Sequence, residues 1–241
     1  MTEPDGDPTF ELVVHLDDLA HPGFPPDAEA MIEAAAPFAD DVDLRREALV
    51  AQAVADTGLD DFGDDGWQVR LDLLVRCLTE EASLSPMGRI SQGALLGQLV
   101  RNRLLVADLL ARHPEIHEVE IRRPIIIAGL PRTGTTHLHN LLAADPALRT
   151  LPYWESLEPV LSPAEQAEVD AGAPDPRLAR TEVAVDFVNT ALPHFRRMHE
   201  MTVDHVHEEI QLLAVDMCTM LFDTTAPMPS WRAWYRQHDH V

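Results

Sequence analysis

Residues 129–136, Gly-Leu-Pro-Arg-Thr-Gly-Thr-Thr, carry the clearest chemistry in the chain. They follow a short β-branched run, Ile125-Ile126-Ile127-Ala128, and lead into a helical stretch over 137–144. An apolar run without polar alternation predicts a strand buried on both faces. Strand, glycine-bounded loop and helix together point several backbone N–H groups at one anion. The helix N-terminus adds partial positive charge. Arg132 lies inside this loop, and its planar, permanently charged fork suits a pair of phosphate or sulfate oxygens.

The spacing Gly129-x-x-x-x-Gly134-Thr135-Thr136 resembles a Walker-A loop with Thr135 standing where lysine is required. All 18 basic residues of the 241-residue chain are arginine. With no lysine, Schiff-base chemistry is excluded, and ordinary nucleotide hydrolysis lacks its phosphate-binding amine. The functional charge falls on Arg132 instead.

Other groups invite a metal or acid–base reading. Glu155 lies just beyond the loop helix in Pro152-Tyr153-Trp154-Glu155, with Glu158 close by. His205, His207, Glu208 and Glu209 form a second candidate group for the base. His207-Glu208 fails the H-E-x-x-H pattern because Gln211 occupies the second histidine position. His137 and His139 are two apart on a predicted helix and so face different ways. His238 and His240 sit near the end of the sequence. No metal site is expected. Trp231, Trp234 and Tyr235 have i, i+3, i+4 spacing, which suits core, with an acceptor-site wall as the alternative.

The elements around the loop read mostly as helix. Helices are predicted over 27–36, 43–58, 67–82, 86–112, 163–171, 175–197 and 205–221, with prolines or glycines punctuating most of them. Val69, Leu73, Leu74, Cys77 and Leu78 form one predicted apolar face. Asp65 is a predicted N-cap. Residues 1–27 hold five prolines around one apolar run at 10–16 and read as a loosely packed lead-in. The formal charge of −23, from 41 acidic against 18 basic residues, argues against nucleic acid or an anionic membrane as partner. It leaves room for a small anion held by a local nest of amides and one arginine. Cys77 and Cys218 read as reduced core residues. With no signal peptide and no apolar run of spanning length, a cytoplasmic protein with no membrane span is expected.

The loop Pro131-Arg132-Thr133-Gly134-Thr135-Thr136, with its strand and helix, resembles the 5′-phosphosulfate loop of sulfotransferases that use 3′-phosphoadenosine 5′-phosphosulfate (PAPS). The continuation to Pro152-Tyr153-Trp154-Glu155 is similar to the bacterial branch of that family. The resemblance implies an α/β, P-loop NTPase-like sulfotransferase fold and sulfuryl transfer from PAPS to the hydroxyl of a small acceptor, with no metal. It assigns Arg132 to the sulfonate and bridging oxygen. Gly134, Thr135 and Thr136 would hold the 5′-phosphate, and Pro131 and Thr133 are counted with Arg132 among the residues that bind PAPS. Glu155 becomes the catalytic base, about two positions later than in the tyrosylprotein enzymes.

The family's later strand, helix and arginine–serine segment for the 3′-phosphate has no counterpart here. The expected architecture is therefore incomplete: a helical N-terminal extension over 1–120, and the first part of the catalytic domain over 121–241. One strand with unpaired edges exposes backbone groups and apolar faces, so the chain alone is expected to be poorly stable or inactive. A kinase-like P-loop transferase without the lysine, or an inactive helical interaction module, are the rival readings.

Overall fold

The computed structural model describes residues 15, 17–18, 21–130 and 132–238. The apolar run at 10–16, apart from His15, Pro131 of the loop and His240 lie outside the described residues.

Helix α1 (Pro26–Ala35) runs into a 3-10 turn, Ala36–Asp41. Helix α2 (Arg46–Thr57) follows and closes at Gly58. Helix α3 (Gly66–Glu80) buries Trp67, Leu71, Leu74, Cys77 and Leu78. Val69, expected on that face, points outward with 73% of its surface exposed. Asp65 precedes α3 without capping it; its carboxylate instead accepts from the Gln68 side chain at 3.0 Å. Helix α4 (Pro86–Arg112) starts as predicted. Pro86 sits at its first position, and the Ser85 hydroxyl accepts the Gly88 N–H at 3.0 Å.

Helix α5 (Thr135–Ala143) follows the glycine loop, and α6 (Tyr153–Leu157) is a single turn. Ser162 and Glu165 form a reciprocal capping box that starts α7 (Pro163–Asp170). Helix α8 (Pro176–Ala191) is shorter than expected. Leu192 precedes Pro193, and the residue before a proline is pushed out of the helical region. A 3-10 turn, Phe195–Arg197, comes next. The single helix expected over 205–221 is replaced by a turn at 203–204, an extended segment at 205–207 and short helices α9 (Ile210–Ala214) and α10 (Leu221–Thr225). Met217, in the left-handed region at φ 55°, breaks the run between them. Helix α11 (Pro229–Tyr235) ends the described fold.

One hydrophobic cluster joins both ends of the chain. Trp67, Leu71, Leu74 and Leu78 of α3 and Leu96, Leu99 and Leu104 of α4 pack with Met217, Phe222, Met228 and Trp231. Trp231 is fully buried and meets Phe222 edge-on, with ring centroids 5.5 Å apart. Its expected alternative, walling an acceptor site, is therefore corrected: Trp231 is core. Arg70 and Arg103 fasten the same junction, donating to Asp216 O at 2.7 Å and Asp216 Oδ1 at 2.9 Å. Cys77 is buried and Cys218 half-buried, and among the described residues neither is in a disulfide. Burial pushes both thiols above their usual range, as fits unreactive packing residues.

The α/β expectation needs correction at its strand. Among the described residues, no strand forms, and an isolated antiparallel bridge between Pro152 and Val206 is the nearest to a sheet. Ile125 and Ile126, predicted to be buried on both faces, are 61% and 81% exposed. The physical reason is pairing. An extended segment becomes a strand only when neighbours take up its N–H and C=O groups and cover its faces, and no described segment lies alongside it. Leu130, Leu138 and Leu141, which flank or follow the loop, are exposed for the same reason. Among the described residues, no helix is long and apolar enough to cross a membrane.

Candidate active site

The loop is shaped by two glycines. A Cβ at Gly129 would meet Thr135 Cγ2 at 2.8 Å and Thr133 Oγ1 at 3.0 Å, so a side chain there forces the loop threonines to shift. Gly134 sits at φ 93°, a conformation L side chains rarely adopt. Arg132 is also left-handed, at φ 66°, and a non-glycine residue held there is the kind of strain that functional loops retain. Thr133 is committed to the loop itself: its hydroxyl donates to Leu130 O at 2.6 Å.

Gly134 then caps α5 without any side-chain bond. Its carbonyl already accepts the Leu138 N–H at 3.0 Å, so the helix is wound from its first turn. The first N–H groups of α5, beginning at Thr135 and Thr136, therefore have no intrahelical acceptor and no capping side chain. Together with the helix dipole they form an anion-binding terminus.

Arg132 is exposed and reaches across the molecule, where Nη1 donates to Met198 O at 3.2 Å. That contact brings the loop to a second group of residues. The segment 151–154 pairs with 203–207: Tyr153 N donates to His205 O, Trp154 N to Val203 O, and His207 N to Leu151 O, at 2.8–3.0 Å. Tyr153 is stacked on His205 with centroids 4.6 Å apart and tilted against His207 at 4.7 Å. Burial raises the Tyr153 phenol above its usual range. Arg177 lies over the Trp154 ring at 4.6 Å.

Glu155 is on the first turn of α6, partly exposed, with Oε1 accepting from Arg149 Nη2 at 2.6 Å. Among the described residues, Oε2 has no hydrogen-bond partner. Glu158, the neighbouring alternative, is not available as a base. Its side chain is 5% exposed and accepts from Arg101 Nη1 at 3.2 Å, Arg180 Nε at 2.8 Å and Arg180 Nη2 at 2.7 Å. It is a structural anion. His205 and His207 are buried rather than on a solvated face, and Glu208 is half-exposed with Oε2 3.7 Å from His207 Nδ1.

The structure thus brings Arg132 beside the 198–207 region and Tyr153 into that region. Met198 and His199 were not singled out from sequence. The available signal was the alternation of His205 and His207. On a helix the two would diverge; on the extended segment found here they share a face.

Comparison with known proteins adds to this geometry. Residues 124–240 match the profile of the sulfotransferase family. Sulfotransferase STF1 from Mycobacterium tuberculosis H37Rv is 30% identical, with a TM-score of 0.64 over 83% of this chain and 54% of that one. Sulfotransferase STF9 from Mycobacterium avium is 25% identical, with a TM-score of 0.66 over 83% of this chain and 50% of that one. The chain spans about half the length of these solved structures. No curated protein matches it.

Proposed function

Through residues 124–240 the chain is a member of the sulfotransferase family, and from that premise we propose that it transfers a sulfuryl group from PAPS to a hydroxyl acceptor. The observation that carries the reading is the Gly129–Thr136 loop, which closes onto an uncapped helix start with Arg132 beside it. An anion seated there meets backbone N–H groups, the dipole of α5 and one guanidinium.

In the proposed reaction the acceptor oxygen attacks sulfur in line with the bridging oxygen of the donor. The new O–S bond forms as the bond from sulfur to the bridging oxygen breaks. The 5′-phosphate leaves with that electron pair as 3′-phosphoadenosine 5′-phosphate (PAP). Arg132 and the first N–H groups of α5, including those of Thr135 and Thr136, stabilise the charge gathering on the bridging oxygen and phosphate. One such donor is typically worth roughly 10²–10³ in rate. Glu155 takes the acceptor proton on Oε2, while Arg149 holds Oε1 and fixes the carboxylate. The Thr133 hydroxyl keeps the loop closed by donating to Leu130 O.

Filter retention of ³⁵S-labelled PAPS, run beside γ-³²P-labelled ATP, tests the reading. PAPS should be retained and displaced by unlabelled PAP, and Arg132→Ala should weaken retention by about tenfold or more, as loss of a charge-assisted contact implies. Retention of ATP as tight as that of PAPS would favour the kinase-like alternative and sink this proposal.

A further inference from the structure

Three histidines that the transfer chemistry does not use converge next to the loop arginine. His199 follows the 3-10 turn Phe195–Arg197, whereas His205 and His207 share one face of the extended segment paired with 151–154. One ring nitrogen from each lies within 4.8 Å of the other two. The rings meet edge-on: His205 and His207 at 5.1 Å and 78°, His199 and His205 at 5.4 Å and 80°, His199 and His207 at 6.2 Å and 65°.

We propose that His199, His205 and His207 form a three-histidine site for a divalent transition metal, with Zn²⁺ the best match to the ligand set.

The outer nitrogens support this assignment. His205 Nδ1 lies 2.6 Å from Thr202 O, His207 Nε2 2.8 Å from Gln211 Oε1, and His199 Nδ1 2.9 Å from Glu200 O. Each partner is a carbonyl or amide oxygen, so each outer nitrogen is the one that carries the proton. The Thr202 N–H also lies 3.3 Å from His205 Nδ1, but the much shorter contact to the carbonyl decides the tautomer. This is the outer-shell pattern that orients metal-bound imidazoles and leaves the inner nitrogen as a lone pair.

The inner pair, His205 Nε2 and His207 Nδ1, is then 3.0 Å apart with no proton to share. Two lone pairs at that distance need a cation between them. Imidazoles on a tetrahedral zinc at 2.0–2.1 Å sit about 3.3 Å apart. The inner pair is already close to that spacing, and the half-exposed His199 closes the remaining gap by a small movement of its turn. The Glu208 carboxylate, 3.7 Å from His207 Nδ1, places negative charge beside the site. A bound ion would clamp the 195–199 turn to the 203–207 segment. Because Met198 O receives Arg132 Nη1, that clamp would also hold the anchor of the loop arginine.

A competing arrangement needs no ion. If the Gln211 amide is turned so that its NH₂ donates to His207 Nε2, a neutral chain of hydrogen bonds runs from Gln211 to Thr202. The two arrangements give opposite results in a titration of the untagged, full-length chain with Co²⁺, followed by its visible absorption and competed with Zn²⁺. The expected result is one Co²⁺ per chain with tetrahedral bands, displaced by Zn²⁺. His199→Ala should weaken binding by at least about tenfold, in line with losing one ligand. His113→Ala, at a half-exposed histidine far away in the sequence, should bind as the parent does. The metal-free melting curve of His199→Ala should match the parent, showing that the fold persists. No Co²⁺ or Zn²⁺ binding by the folded parent overturns the proposal. So does undiminished binding by His199→Ala, or an equal loss in His113→Ala.

Discussion

Replacing Glu158 with glutamine separates a structural anion from a catalytic one. Glu158 and Glu165 share two guanidiniums: Arg101 reaches both carboxylates, at 3.2 Å and 2.8 Å, and Arg180 does the same, at 2.7 Å and 2.9 Å. The four charges balance. Glu158→Gln keeps the shape but leaves two arginines with one carboxylate, at a site where the Glu158 side chain is 5% and Arg101 18% exposed. Removing one partner of a buried pair costs about 3–5 kcal/mol. Arg180 is 42% exposed and keeps Glu165, so water and the remaining carboxylate offset part of this. We expect a loss of about 2–3 kcal/mol, which lowers Tm by about 5–10 °C for a chain of this size. Thermal melts and urea titrations of Glu158→Gln, Arg180→Ala and the double variant would measure it. The two single changes should couple by at least about 1 kcal/mol. A loss below about 1 kcal/mol, or additive single variants, would refute the buried network and reopen Glu158 as a candidate base.

Trp231→Ala should cost about 3–5 kcal/mol in urea unfolding, because it empties a fully buried site between α11 and α3; a loss under 1 kcal/mol would mean that the C-terminal helices are not part of the N-terminal core. Gly129→Ala should weaken PAP binding while leaving the far-ultraviolet circular dichroism unchanged, since its Cβ would strike Thr135 Cγ2; parent-like affinity would show that the loop adopts another shape. Burial raises Glu165, but the Ser162 backbone and hydroxyl bonds, with Arg101 and Arg180, outweigh it and hold the carboxyl at about 2. A depressed carboxyl stabilises the fold fully above its unfolded pKa, near 4.5, and that contribution falls away as pH drops from 4.5 towards 2. Acid titration of stability should therefore be shallower across that window in Glu165→Gln, and an unchanged slope would contradict the assignment.

How much was legible beforehand depended on how local the cause was. Pro86, Pro163 and Pro176 sit at helix starts with Ser85, Ser162 and Asp175 as caps, so proline and one side chain fix each boundary. The glycine loop was legible for the same reason: Gly129, Arg132 and Gly134 act within eight residues. The strand at 125–128 was not, because a strand is a property of its neighbours. The histidine triad was missed because it depends on Val203 and His205 pairing with Trp154 and Tyr153, some fifty residues earlier in the sequence. The helical pattern of 205–221 gave no hint of that extension. Glu158 was a neighbouring alternative to Glu155 in sequence, and only the arrival of Arg101 and Arg180 from two other helices distinguishes them.

The most direct test of the proposed phosphosulfate loop is two-dimensional amide NMR of the chain titrated with PAP. Shifts should concentrate on residues 129–137, with the Thr135 and Thr136 amides moving furthest, and should vanish in Arg132→Ala. Shifts centred elsewhere, with the amides of α5 unmoved, would contradict the account.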